Sequence, residues 1–416
     1  MNLVAIALAG LGTPLFIVVS FLSLYSFYSI DIDLTVLFIE MYRLAETPSL
    51  TAIPFFTFSG FLLAHSNAPN RLVALSYSLL GWLPGGLAIV ALFICALFTA
   101  LTGASGVTII ALGGLLYPSL KTAQYDEHFS LGLLTTSGSL GLLFPPSLPL
   151  ILYGIIASVP IDQLFLAGLI PGLLLLLVLS LYTILKMPAQ KEACRPVKKQ
   201  PIWPLVRDSI WEIGIPFILV GGIFSGLIAL SEGAILCTVY LLFVEVVLKK
   251  EIPLRALPDI IVKSMGILGA IYIILGSSMA YTNYLIDQQI PNALLSFIQL
   301  HIDSKWALLI ALNLFLLAVG CLIDMFSALI LVVPLVLPLA QAYDINPIHL
   351  GIIFLTNLEI GYSTPPIGLN LFIASLRFKS PIILLYRASI PFLALLFVCL
   401  LLITYIPALS LVLTTP

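Results

Sequence analysis

Two stretches of the sequence gather hydroxyl and amide side chains around glycines and end in a Pro-Pro pair. The first reads TTSGSLGLLFPP over residues 135–146, and the second reads TNLEIGYSTPP over residues 356–366. Hydroxyl oxygens and the carbonyl oxygens of unwound backbone suit a hard cation such as Na⁺. A helix that begins at a Pro-Pro pair turns the positive end of its dipole toward the break, which favours an anionic group there. We therefore expect a cation and a carboxylate substrate to bind near these two stretches.

These stretches must lie on helices that are broken inside a membrane. Residues 128–161 carry no charged side chain, and as one straight helix they would be about 50 Å long, against roughly 30 Å for a bilayer core. Backbone groups freed at membrane depth are tolerated only where protein or a water-filled cavity satisfies them. The sequence thus predicts broken helices over about 128–158 and 347–376. The residues expected to line the substrate site are Ser137, Pro145, Pro146, Asn357, Thr364, Pro365 and Pro366.

The composition predicts an all-α polytopic membrane protein. Of 416 residues, 61% are hydrophobic and 9% are charged, whereas a soluble domain carries about 25% charged residues. The net charge of −2 gives no basic bias toward nucleic acid. The five cysteines and four histidines are scattered, so they indicate no metal pattern, no disulfide framework and no cluster for an intramembrane enzyme. No cofactor is expected, and the apolar N-terminus is interpreted as a mature span.

A hairpin is predicted before each broken helix, over about 84–119 and 305–340. The return arm of the first hairpin has about 13 residues, fewer than the roughly 20 needed to cross, which favours a re-entrant hairpin over two spans. A Gly/Ser-rich helix-packing face is the alternative. Asp324 lies at the tip of the second hairpin, and an intramembrane carboxylate is by default functional. For Glu359 a helix-end role is equally open, and hydroxyls such as Thr108 more often bond their own helix.

An internal repeat relates the two halves of the chain at an offset of 220 residues. The offset aligns Pro118 with Pro338, Thr136 with Thr356, Gly141 with Gly361, and the two Pro-Pro pairs. The positive-inside rule makes the loop at 187–209 cytoplasmic and gives the halves, 1–186 and 210–416, opposite orientations. Inverted repeats with paired broken helices are typical of secondary transporters. A chance recurrence of Pro-Pro among 28 prolines, and a channel with ohmic conductance, are the alternatives.

The sequence also resembles the large membrane subunit of the tripartite ATP-independent periplasmic (TRAP) transporters. The matching segments are AIPFF at 52–56, LPGG at 83–86, GLLFPPS at 141–147, FLAGLIPG at 165–172, and residues 358–370 from LEIG to Asn370, together with Asp324, Pro334 and Pro338. They span nearly the whole chain. The runs KTAQYD at 121–126 and LSEGA at 230–234 depart from the usual family pattern and leave the subfamily open.

The resemblance implies an elevator-type carrier in the bacterial inner membrane that is coupled to Na⁺. It implies import of a small organic anion, such as a C4-dicarboxylate or sialic acid, together with a small four-helix membrane subunit and a periplasmic substrate-binding protein. The residues that it assigns to ion binding are Gly103, Ser105, Gly138, Asp324, Thr356 and Gly361. The first half would then hold a neutral ion site and the second a charged one. A stand-alone cation-coupled dicarboxylate or anion carrier, which needs no binding protein, is the alternative.

Overall fold

All regular secondary structure in the described part of the chain is helical. The computed structural model describes residue 13 and residues 15–80, 85–186 and 202–414, and these contain no β-strand. Long uncharged apolar runs favour helices because a helix satisfies every backbone group within its own segment. Six helices in these ranges are long and apolar enough to cross a membrane, or seven if a bent pair counts as one span. The prediction of an all-α polytopic membrane protein is confirmed.

The first half begins with four helices and continues with a hairpin, a broken helix and a long span. The helices are α1 (Leu15–Ser29), α2 (Val36–Ala45), α3 (Ala52–His65), α4 (Ala68–Leu80), α5 (Gly86–Thr102), α6 (Ser105–Thr122), α7 (Glu127–Ser137), α8 (Leu148–Ala157) and α9 (Ile161–Lys186). Helices α5 and α6 form the first hairpin. Helices α7 and α8, joined by a 3₁₀ turn at Leu140–Leu143, form a broken helix that bends by 45°.

The second half repeats this order. Its helices are α10 (Ile202–Phe224), α11 (Leu230–Leu242), α12 (Leu257–Asp287), α13 (Ile290–His301), α14 (Lys305–Leu322), α15 (Met325–Ala342), α16 (Pro347–Gly361), α17 (Leu369–Phe378), α18 (Ile382–Tyr405) and α19 (Ala408–Leu411). A π-helical segment at Phe243–Leu248 extends α11. Helices α14 and α15 form the second hairpin, and α16 and α17 form the second broken helix.

The helix bounds repeat at the predicted offset. Adding 220 to the ends of α6 gives the ends of α15, and the same shift brings α5, α7, α8 and α9 to within a few residues of α14, α16, α17 and α18. The two halves pack across each other, because α6 contacts α17 and α8 contacts α15, while α7 contacts α18 and α9 contacts α16. The opposite orientation of the halves stays a prediction.

Three local predictions are corrected. The return arm of the first hairpin, α6, is 18 residues long rather than about 13, because the helix continues through Pro118 to Thr122. Residues 231–233 read SEG, which predicts a turn between two spans, but they lie inside α11, and the backbone N–H of its N-cap residue, Ala229, donates to Glu232 at 2.9 Å. Residues 187–201 of the predicted loop lie outside the described ranges, and its last residues belong to α10.

Candidate ion and substrate site

The first hairpin and the first break are joined by hydroxyl groups. The Thr99 hydroxyl donates to the carbonyl oxygen of Gly138 at 2.7 Å, and the Thr108 hydroxyl lies 2.6 Å from that of Thr99. All three residues come from different helical segments and are buried, as is Thr102, whose hydroxyl has no hydrogen-bond partner among the described residues. No carboxylate takes part in these contacts. The first break is therefore surrounded by neutral oxygen dipoles.

Glycines allow the backbone of the first hairpin tip to approach the backbone of the first break closely. Gly103 ends α5 in the left-handed conformation, with φ +67°, and frees the chain to turn into α6. A Cβ atom added to Gly138 would lie 3.4 Å from the carbonyl oxygen of Ser105. The ion-binding residues predicted in the first half, Gly103, Ser105 and Gly138, are thus brought together at the contact between hairpin tip and break.

One side-chain hydrogen bond connects this contact to the second half of the molecule. The Ser105 hydroxyl donates to the amide oxygen of Asn370 at 2.8 Å, and both side chains are buried. Asn370 stands in the first turn of α17, where its backbone N–H donates to the carbonyl oxygen of Tyr362 at 3.0 Å. Its amide nitrogen lies 3.5 Å from the Ser363 hydroxyl. The N-terminus of the helix after the second break is therefore held against the tip of the first hairpin.

The second hairpin and the second break meet through different groups. Asp324 is exposed and caps α15 by accepting the Ser327 backbone N–H at 3.0 Å. The backbone N–H of Met325 donates to the buried Tyr362 hydroxyl, and Gly368 N–H donates to the Cys321 carbonyl at 3.1 Å. An aromatic hydroxyl and backbone groups thus connect tip to break here, with a carboxylate beside them.

Other predicted residues of the second half bond their own helices. The hydroxyl groups of Thr356 and Thr364 donate to carbonyl oxygens four residues earlier, at 2.7 and 2.8 Å. The Thr356 hydroxyl proton is therefore used within its own helix. Asn357 donates to the amide oxygen of Asn313 at 2.8 Å, and its own amide oxygen is buried without a partner among the described residues. Glu359 is fully buried, and neither of its carboxyl oxygens has such a partner.

The two breaks touch each other at repeat-related positions. The Ser139 hydroxyl is 3.4 Å from the carbonyl oxygen of Glu359, and these residues are 220 positions apart. The glycines that follow them pack alike: a Cβ on Gly141 would overlap the backbone of α5, and a Cβ on Gly361 would overlap the backbone of α14 at Gly320. The role of Gly361 that the structure supports is thus close backbone packing against the second hairpin.

Both Pro-Pro pairs lie at the break, as predicted. Each contains a cis peptide bond, and the helices that follow, α8 and α17, begin two to three residues later. Tyr386 donates its hydroxyl proton to the carbonyl oxygen of Pro366. Ser137, in contrast, lies 3.5 Å from the Leu134 carbonyl of its own helix. The starts of α8 and α17 bring two helix N-termini to the breaks, a setting in which backbone N–H groups attract anions.

Sequence reasoning missed three residues that shape the site. Thr99 was hidden in the apolar run of α5, Asn370 stood only at the end of a family motif, and Tyr362 looked like an ordinary apolar residue. Thr99 carries a hydroxyl in an otherwise apolar helix, and that contrast is the signal that could have found it. Tyr362 lies within the second polar stretch and Asn370 lies four residues after it, and this position is the signal for both.

Comparison with known proteins decides the family. The family model described as "Tripartite ATP-independent periplasmic transporter, DctM component" matches residues 1–409. The chain is a member of this family. It is 33% identical to the C4-dicarboxylate TRAP transporter large permease protein DctM of Pseudomonas aeruginosa, over 90% of this chain and 88% of that one. It is 30% identical to the protein of the same description from Rhodobacter capsulatus, over 99% and 97%.

A further relative and one solved structure extend the comparison. The ectoine TRAP transporter large permease protein TeaC of Halomonas elongata is 29% identical over 87% of this chain and 85% of its own length. A crystal structure of the YdaH transporter of Alcanivorax borkumensis, described as having an unusual topology, superposes with a TM-score of 0.59 over 88% of both chains at 14% identity, which shows a shared fold. The DctM-family chain is thus a TRAP transporter large permease of the bacterial inner membrane, not an enzyme.

Proposed function

We infer that this permease imports a small organic anion, such as a C4-dicarboxylate, sialic acid or a similar carboxylate, together with Na⁺. The observation that carries the proposal is the pair of contacts made by the first hairpin tip. Thr99 reaches the Gly138 carbonyl, and Ser105 reaches Asn370 at the second break. One tip therefore connects an oxygen-rich break with a helix N-terminus, which are the groups that a cation and an anion need. Relatives named for C4-dicarboxylate and isethionate transport support an acidic substrate.

The chemistry of the first break favours Na⁺ over a proton as the coupling ion. The groups that converge there are hydroxyls and backbone carbonyls, which hold a hard cation by their dipoles and do not titrate near neutral pH. A cation bound between Ser105 and Gly138 would draw the hairpin tip and the break together. In the second half, Asp324 would contribute a formal negative charge to a second site.

The substrate is proposed to lie between the two breaks. Its carboxylate would face the N-terminal ends of α8 and α17, where the positive ends of the helix dipoles favour negative charge. Beside the start of α17, the Asn370 amide nitrogen, 3.5 Å from the Ser363 hydroxyl, offers a neutral donor to the substrate. Ion and substrate would then share the hairpin tip, so binding of one favours binding of the other.

An elevator movement suits the way in which the helices pack. Each hairpin contacts the broken helix of its own half, and its second arm contacts the helix after the break of the other half. These elements would move as one unit against the remaining helices. The helices α4 and α13, which precede the two hairpins, would connect the moving unit to the rest of the molecule.

The partners proposed are a small four-helix membrane subunit and a periplasmic binding protein that delivers the substrate. The name of the family, tripartite and periplasmic, supports a three-part system. A relative from Oleidesulfovibrio alaskensis is called permease protein DctMQ, and this chain covers 57% of its length.

Uptake into proteoliposomes tests the proposal. The permease is reconstituted with its membrane and periplasmic partners, and a panel of radiolabelled carboxylates is offered with and without an inward Na⁺ gradient. We expect saturable uptake of one anion class that requires both the gradient and the binding protein. Uptake of neutral or cationic solutes alone would contradict the anion assignment. Uptake that does not need the binding protein would favour a stand-alone carrier, and ohmic conductance would favour a channel.

A further inference from the structure

A small cavity lies between α6 and the end of α17, away from the two breaks. Its volume is about 220 Å³, and its lining residues are Gly113, Gly114, Tyr117, Pro118, Arg377, Phe378 and Lys379. By the positive-inside rule, the basic end of α17 faces the cytoplasm. The cavity joins a helix of the first half to a helix of the second half.

Two cations border this cavity without an acidic partner among the residues that the structure describes. Arg377 and Lys379 are exposed, and neither forms a salt bridge or a side-chain hydrogen bond with another residue of the described ranges. The Tyr117 hydroxyl is already engaged with Glu127 at 3.1 Å. The guanidinium and ammonium groups therefore provide the free donors of the cavity. Cations also complement the dipole at a helix C-terminus, but that role does not require a cavity.

The guanidinium group lies directly against a glycine on the facing helix. A Cβ atom at Gly114 would overlap the Nη2 and Cζ atoms of Arg377, and one at Gly113 would press on the Phe378 ring. The absence of these two side chains on α6 lets the end of α17 lie flat against it. Lys379 follows directly in the left-handed conformation, with φ +52°, so the chain turns away after it.

Guanidinium donors beside an ammonium group match the oxygen atoms of a phosphate. Arginine binds phosphate through two parallel N–H groups, and basic pockets between helices on the cytoplasmic side bind phospholipid head groups. The same helix, α17, carries large exposed apolar side chains: Leu376 is 82% exposed and Phe372 is 45% exposed. These offer a surface for acyl chains. We propose that this cavity, bounded by Arg377, Lys379 and Gly114, binds the phosphate of an anionic phospholipid.

The test uses native mass spectrometry and thermal unfolding of the full-length permease in nanodiscs that contain phosphatidylglycerol or only phosphatidylcholine. We expect phosphatidylglycerol to remain bound to the wild type and to raise its melting temperature. The double variant R377A/K379A should lose the bound lipid and that shift. The control K250A/R255A removes two exposed cations elsewhere and should retain both.

A second pair of variants separates geometry from charge. Gly114→Ala keeps both cations but displaces the guanidinium group, so we expect the retained lipid to fall several-fold. Gly221→Ala, where an added Cβ meets no atom within 4 Å, should change nothing. Equal lipid retention in R377A/K379A and K250A/R255A would overturn the proposal. Equal stabilisation of the wild type by inorganic phosphate in detergent, with no preference for phosphatidylglycerol, would overturn the lipid as the source and leave a soluble anion.

Discussion

The two contacts between hairpin and break share a backbone plan but differ in their side chains. At the offset of 220, Thr99 and Thr108 of the first hairpin correspond to Val319 and Ala328 of the second. The hydroxyl pair that bonds the first break therefore has no counterpart. Conversely, Asp324 stands at the position of Ala104, where the first half carries no charge.

This difference shows which features the repeat preserves. The glycines that permit backbone contact, Gly141 and Gly361, recur with the same packing partners, because any side chain there would separate hairpin from break. Polar side chains are free to diverge once the backbone geometry is set. The result is a buried neutral contact in one half and a contact with an exposed carboxylate in the other.

The helices before the hairpins differ in a similar way. Arg71 of α4 lies in a buried cluster with Glu212, Glu245 and Glu251, and Lys249 adds a second cation to Glu212. Glu212 and Glu245 are fully buried at their side chains. Helix α13, the counterpart of α4, forms no salt bridge within the described ranges. The first connecting helix is thus anchored by charge, whereas the second is held by apolar packing.

The largest effect is expected for Arg71→Ala. Removing the cation leaves the buried Glu245 without its ion-pair partner and Glu212 with Lys249 alone, and breaking a buried ion pair costs about 3–5 kcal/mol. We expect a large fall in the thermal stability of the permease in detergent, measured by intrinsic fluorescence. His301→Ala, on the exposed end of α13, is the control and should change little. Similar small effects of both variants would show that charge does not anchor α4.

Glycine substitutions at the breaks should have the next largest effect. Gly141→Ala and Gly361→Ala each insert a methyl group against backbone, and overpacking of this kind costs about 1–3 kcal/mol. We expect both to lower thermal stability and uptake, since the two halves preserve this packing. Gly221→Ala serves as the control. If only one of the two glycines proves sensitive, the two contacts are less alike in their backbones than the structure indicates.

Thr99→Val tests the neutral contact directly, because valine is the residue that the second half already has. The variant removes the donor to Gly138, and a buried hydrogen bond of this kind is worth about 1–3 kcal/mol when its acceptor stays unpaired. We expect the Na⁺ concentration for half-maximal uptake to rise about tenfold or more, since 1.4 kcal/mol is a factor of ten. Thr99→Ser keeps the hydroxyl and should restore most of the affinity. An unchanged Na⁺ dependence in Thr99→Val would remove this contact from the ion site.

The sequence predicts those contacts that depend on local backbone conformation, but not those that depend on how distant parts of the chain pack. Glycines and prolines that recur at the same offset predict the breaks and the repeat, because the backbone conformation at a break restricts the type of residue that can stand there. The hydrogen bond between Ser105 and Asn370 could not be predicted, because it joins residues 265 positions apart and depends on how the two halves pack across each other. The predicted length of α6 is also wrong, because the helix begins directly after the tip at Ser105 and continues through Pro118 to Thr122.

Asp324→Asn should separate the ion role of the second contact from its structural role. Asparagine caps a helix about as well as aspartate, so the bond from Ser327 is kept and stability should change by about 0.5 kcal/mol or less. We expect the dependence of uptake on Na⁺ to become less cooperative while the protein stays folded. Wild-type cooperativity in this variant would leave the first half as the site of ion coupling. Melting of the variant at a much lower temperature would instead mark Asp324 as structural.

The smallest expected effect is the pH dependence of stability that Glu251 contributes. Burial alone would raise the pKa of Glu251, but the Asn67 backbone N–H and the Arg71 guanidinium outweigh it and hold that pKa below its ordinary value. A depressed carboxyl pKa stabilises the folded state above the unfolded value of about 4.3 and loses that contribution as the pH falls through the folded value. Glu251→Gln should therefore lower the melting temperature at pH 7 and converge with the wild type below about pH 4. A difference that persists unchanged in acid would mean that the side chain acts through packing. The anchoring of α4 would then rest on Glu212 and Glu245.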